Sequence, residues 1–110
     1  MFGKAFEHFI LMEVRAFLSY RRRPEAMSYW RSTSGFEVDL ILGDRAAVKI
    51  KGAKTIRDKH LKGLRALKEE GVIQTLSVVS CDRHERTTKD GIVIYPWQRF
   101  LEKLWRGEVI

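Results

Sequence analysis

The sequence predicts an α/β domain in which helices cover both faces of a mixed sheet. Two observations carry this expectation. Apolar residues recur at helical spacing near the front of the chain, at Phe6, Ile10, Val14 and Phe17, and helical patterns return in two later segments. Between them, residues 36–51 alternate with the two-residue period of a strand, break at Gly43-Asp44, and alternate again. A hairpin followed by a helix and a buried strand calls for one right-handed parallel crossover beside an antiparallel portion. The element order is α-β-β-β-α-β-β-α, in a single domain over residues 1–110.

The first helix runs from Phe2 to about Arg21. Phe9, Leu11 and Leu18 widen its apolar stripe, so it packs on more than one side. Pro24 disfavours helical geometry at the residue before it and closes the segment Arg21-Arg22-Arg23. Met27 to Arg31, rich in aromatics, is the first strand, and Ser32 to Gly35 is a turn cluster. Phe36 to Leu42 is the second strand, with Phe36, Val38, Leu40 and Leu42 on one face and Glu37, Asp39 and Ile41 on the other. Ala46, Val48 and Ile50 continue the apolar face, and Arg45, Ala47, Lys49 and Lys51 share the opposite one.

The hairpin register follows from this pattern. The apolar faces coincide only if paired residue numbers sum to an even number. A three-residue loop, Gly43 to Arg45, meets that condition and sets Leu40 opposite Val48, Asp39 opposite Lys49 and Glu37 opposite Lys51.

A second helix begins at Thr55 or Arg57 and ends at Glu70, with Gly71 just past its end. Thr75 to Cys81 is an apolar strand of the buried kind. Asp82 to Gly91 is a polar loop, and Ile92 to Tyr95 a short strand. Pro96 opens the last helix at its first turn, with Phe100, Leu101, Leu104 and Trp105 on the apolar side.

The formal net charge of +7 favours a polyanionic partner, nucleic acid being the commonest. No apolar run reaches the roughly 20 residues that cross a bilayer, which argues against a membrane partner. No signal-peptide pattern is visible. Cys81 stands alone, so no intrachain disulfide and no cysteine metal cluster is expected. These features place the protein in the cytoplasm. No serine or cysteine has a histidine at a recognisable spacing, which disfavours acyl transfer.

Four charged residues stand out: Glu7 on a helix, Asp39 on one strand, Lys49 and Lys51 on the next. A helix acid, a strand acid and an acid-x-lysine pair serve metal-dependent phosphodiester cleavage. Carboxylates hold Mg²⁺ through hard oxygens. The metal activates a water and neutralises phosphate charge. A lysine orients that water or stabilises the transition state. Residues two apart on a strand point the same way, so both can meet one phosphate.

The ordered set Gly3-x-x-Phe6-Glu7, Tyr29-Trp30-Arg31, Gly35-Phe36-Glu37-Val38-Asp39-Leu40-Ile41-Leu42-Gly43 and Ala47-Val48-Lys49-Ile50-Lys51 resembles the PD-(D/E)XK nuclease superfamily. It is most similar to the nuclease-like module at the C-terminus of certain archaeal and bacterial AAA-type ATPases. Leu61-Lys62-Gly63-Leu64-Arg65-Ala66-Leu67 and Pro96-Trp97 with Phe100-Leu101 extend the likeness over nearly the whole chain. The resemblance implies a restriction-endonuclease-like mixed sheet, Mg²⁺ or Mn²⁺ as cofactor, and DNA as substrate. By position, Glu7 matches the helix acid, Asp39 the strand acid and Lys51 the lysine. The ATPase phosphate loop has no counterpart here.

One position departs from the pattern. Where the superfamily has an acid two residues before the lysine, this chain has Lys49. The site then holds two acids and two lysines, formally neutral, in place of three acids and one lysine. A divalent cation loses a ligand and gains a repelling neighbour. The expectation is a nuclease-like domain impaired or inactivated by Lys49, with Glu7, Asp39, Lys49 and Lys51 as the catalytic set. Asp39 and Glu7 are the metal ligands, and Glu37 partly replaces the missing one. If the site has lost its activity, no cofactor is expected. Arg31, Lys54 and Arg57 flank the hairpin and are candidates for phosphate contacts.

Two alternatives stand beside this reading. The four hairpin charges also suit a cross-strand ion ladder on a solvated face. A non-catalytic nucleic-acid-binding or protein-interaction module on the same fold is the second. Family analogy and the aromatic content point to a homodimer.

Overall fold

Helix α1 occupies Phe2–Tyr20, and its periodic residues Phe6, Ile10, Val14 and Phe17 are all buried. The computed structural model describes residues 2–110. After α1 come strands β1 (Met27–Arg31), β2 (Glu37–Leu42) and β3 (Ala46–Lys51). A 3-10 turn (Asp58–Leu61) leads into α2 (Lys62–Lys68). Then follow β4 (Thr75–Ser80), β5 (Arg86–Thr87), β6 (Val93–Pro96) and α3 (Trp97–Trp105). The six strands form one sheet in the order β1-β2-β3-β4-β6-β5. β1, β2 and β3 are antiparallel neighbours, whereas β3, β4 and β6 run parallel.

The sheet is covered on both faces, as the sequence predicts. Under α1 and α3 lie Leu40, Leu42, Val48, Ile50 and Val79, packed with Phe17, Phe100 and Leu104. Under α2 lie Val38, Ile41, Ala47, Val78 and Ile94, packed with Leu61, Leu64 and Leu67. Full burial of one such leucine or phenylalanine stabilises by about 1.5–3 kcal/mol before entropy is counted, so both layers contribute. No helix among the described residues is long and apolar enough to cross a membrane.

The predicted hairpin loop is present: Leu42 pairs with Ala46 and Leu40 with Val48. Three consequences drawn from strict alternation are corrected. Val38 does not share a face with Leu40 but packs on the α2 side. The cause is a bulge in β2. Trp30 pairs with Val38 and Ser28 with Ile41, so Asp39 and Leu40 together oppose Tyr29. The expected Asp39–Lys49 and Glu37–Lys51 rungs are also absent from the ladder, which stops at Leu40–Val48. Ile41 and Ala47, expected beside the acids on a solvated face, are buried beneath α2.

Smaller differences concern element ends. Phe36 lies just outside β2 and is exposed. The second helix opens as a 3-10 turn and its α-helical part stops at Lys68, with Gly71 at φ 75° beyond it. β4 ends at Ser80, one residue short of Cys81, and β6 is shifted by one residue from the expected Ile92–Tyr95. The polar loop contains β5, which pairs with β6 through two residues, too short for any periodic signal. Helix α1 ends before Pro24 is reached. Arg22, at φ 52°, and Arg23 return their N–H groups to Ser19 and Leu18, which satisfies the last carbonyls.

Candidate functional site

The site lies where the sheet forks. Beyond Leu40–Val48, β2 stays with β1 and β3 stays with β4, so the middle of the sheet opens. The bulge aims Asp39 into this opening. Its Oδ2 accepts the Ile50 N–H at 2.7 Å, a side chain standing where a ladder carbonyl would otherwise be. The same oxygen lies 3.7 Å from Lys49 Nζ, and both side chains are largely buried, at 18% and 25% exposure.

Glu7 reaches the opening from the first turns of α1. It shares a cavity of about 310 Å³ with Asp39, Lys49, Lys51 and Lys4, floored by Gly3, Ile50 and Gly52. Burial pushes the Glu7 carboxyl above its ordinary pKa of 4.5, and contact with the Asp39 carboxylate pushes it further, while Lys49 partly offsets both. Two carboxyls in contact favour keeping a proton on one of them. The structure thus brings together the four residues Glu7, Asp39, Lys49 and Lys51 from three separate elements.

The other sequence candidates are placed differently. Glu37 stands 3.6 Å from Arg31 across the β1–β2 pair, and both are exposed. Its carboxylate adds to the field at Glu7 and borders the opening on the Tyr29 side. Lys54 follows β3 on the surface, near Cys81. Arg57 precedes the 3-10 turn and is exposed.

A divalent metal is the cofactor that the sequence pattern implies, and the donor set can be tested against it. Among the described residues, no three His, Cys, Asp or Glu side chains form a group able to hold a metal ion. Asp39 already accepts a backbone hydrogen bond, and the Lys49 ammonium stands against the same oxygen. A divalent ion there would be repelled by that ammonium, with only the Glu7 and Asp39 carboxyls of the cavity to draw it in. The residues in this arrangement do not fit the ion. The Lys49 ammonium supplies the positive charge beside Asp39 instead.

A second cleft, of about 270 Å³, lies on the other side of Lys49 and Lys51. The 3-10 turn and the start of α2 form its far wall, with Lys59, His60 and Lys62. Gly63 holds that wall close: a Cβ there would lie 2.0 Å from the Glu37 carbonyl oxygen. Sequence reasoning missed Lys4, Lys59, His60 and Lys62. The run Lys59-His60-Leu61-Lys62 was the available signal, but its place beside Lys51 depends on the tertiary approach at Gly63.

A family model described as "Domain of unknown function (DUF4143)" matches residues 2–100. No curated protein and no solved structure matches the chain.

Proposed function

The chain belongs to the DUF4143 family, and from the sequence motifs and the forked site we propose a PD-(D/E)XK nuclease-like domain that grips DNA without cutting it. The observation that carries this reading is the 3.7 Å approach of Lys49 Nζ to Asp39 Oδ2. An ammonium held there takes the place of the acid and the metal that phosphodiester cleavage requires. Domains of this family often stand at the C-terminus of AAA ATPases, which agrees with the resemblance carried by the motifs.

Several further features support the reading. Lys4, Lys49 and Lys51 surround the site, and the net charge of +7 attracts a polyanion. Backbone phosphates are met by such cations without base reading, so recognition rests on charge and shape. The test is fluorescence anisotropy with single-stranded, duplex and branched DNA across a salt series. Binding falls steeply with salt and is unchanged by EDTA, and no strand is cut in Mg²⁺ or Mn²⁺. Metal-dependent cutting that Asp39→Ala abolishes contradicts the loss of cleavage. Absence of binding at low salt contradicts the DNA reading.

One observation favours a second role beside the first. Phe2, Phe9 and Met12 expose 62%, 42% and 48% of their surface along α1. Exposed apolar side chains on one helix suit a protein contact, including a homodimer. Sedimentation equilibrium reads this directly.

A further inference from the structure

We infer that the cleft between Lys51 and α2 is a phosphate subsite, in which the lysine ammoniums of β3, the 3-10 turn and α2 surround an anion and the His60 Nε2–H donates to it. This rests on the proposed DNA reading and names a second contact for the strand, next to the Asp39 pocket.

Charge is the first argument. Lys51, Lys59 and Lys62 line the cleft, and among the described residues none of the three is in an ion pair. Lysines on three different elements converge here, although like charges repel. An anion in the cleft would meet all three ammoniums at once. Glu37 borders the cleft, and its carboxylate is turned to Arg31.

Histidine chemistry is the second. The Arg57 N–H donates to His60 Nδ1 at 3.0 Å, which ties the ring to the start of the 3-10 turn. Nδ1 is therefore an acceptor, and the ring proton resides on Nε2. Burial and then the charges of Lys51, Lys59, Lys49 and Arg57 push the His60 pKa down, which keeps the ring neutral. A neutral ring with its donor fixed by the backbone offers an oriented N–H to a phosphate oxygen without adding a charge.

Position is the third. Lys49 and Lys51 line both the Asp39 pocket and this cleft. A strand crossing the fork of the sheet thus meets two adjoining cation-lined hollows.

The test has two arms. In the first, inorganic phosphate is titrated while ¹H–¹⁵N spectra follow the His60 ring nitrogens and the Gly63 amide. In the second, binding of a single-stranded oligonucleotide is measured over a salt series for the native protein, Lys59→Ala/Lys62→Ala and His60→Gln. Glutamine retains an acceptor for the Arg57 N–H, so the turn is preserved. The expected result is a saturable response at His60 Nε2. The double variant then binds the oligonucleotide about tenfold more weakly, with a salt slope lower by about 0.7, the share of one phosphate. A response to phosphate without oligonucleotide binding keeps the subsite, assigns it to free phosphate esters, and overturns the DNA reading. Oligonucleotide binding that the variants leave unchanged, with no response at His60, overturns the subsite and leaves the DNA reading standing. Failure of both arms overturns both.

Discussion

Asp39 accepts the Ile50 N–H through Oδ2 at 2.7 Å, and so ties the two strands together just where their ladder has ended. Its carboxylate is thus structural as well as electrostatic. Asp39→Ala leaves a partly buried N–H without its partner and destabilises the fold by about 1–3 kcal/mol. Asp39→Asn keeps an acceptor for Ile50 and costs less. Urea unfolding of the two variants separates these roles.

Glu7 gives a pH signature. Its pKa lies above 4.5 in the fold because burial and Asp39 disfavour the charged form. The native state then binds more protons than the unfolded chain over the interval between the two values. The stability that Glu7 contributes is present below 4.5 and is lost as pH rises through the folded pKa. Glu7→Gln lacks that loss and is the more stable protein toward neutral pH. Urea unfolding from about pH 4 to about pH 7 shows the gap opening with pH. In Asp39→Asn, the Glu7 carboxyl titrates lower, as carboxyl NMR shifts will report.

Gly63 tests the wall of the second cleft. Glycine to alanine inside an exposed helix ordinarily stabilises by up to about 1 kcal/mol. Here the added Cβ meets the Glu37 carbonyl oxygen at 2.0 Å, a backbone atom fixed in β2. Overpacking of this kind costs about 1–3 kcal/mol, so Gly63→Ala destabilises on balance. Thermal unfolding gives the sign.

The layered α/β fold was legible because its signals are periodic. The stripe Phe6, Ile10, Val14 and Phe17 placed α1, and the even pairing sum placed Leu40 opposite Val48. The fork was not legible. Alternation assumes an unbroken strand, and one extra residue at Asp39-Leu40 moves Val38 to the other face. The same bulge turns Asp39 from a rung partner of Lys49 into a ligand of the Ile50 N–H. Of the site residues, Glu7, Asp39, Lys49 and Lys51 were found through a motif and do meet in one cavity. Glu37 was misplaced as a rung partner of Lys51, because the ladder stops at Leu40–Val48 and its ion-pair partner is Arg31 on β1. His60 was signalled only by the run Lys59-His60-Leu61-Lys62, since its place depends on a hydrogen bond from Arg57 and on the approach at Gly63.

On the proposed reading, Lys49 stands where a metal ligand is needed. Calorimetric titration of Mn²⁺ into the native protein and into Lys49→Glu tests it most directly, with Lys49→Glu/Asp39→Ala as the control. The predicted result is no measurable binding by the native protein, clear binding by Lys49→Glu, and its loss in the double variant. Equal binding by the native protein and Lys49→Glu, or none by Lys49→Glu while it remains folded, would contradict the account.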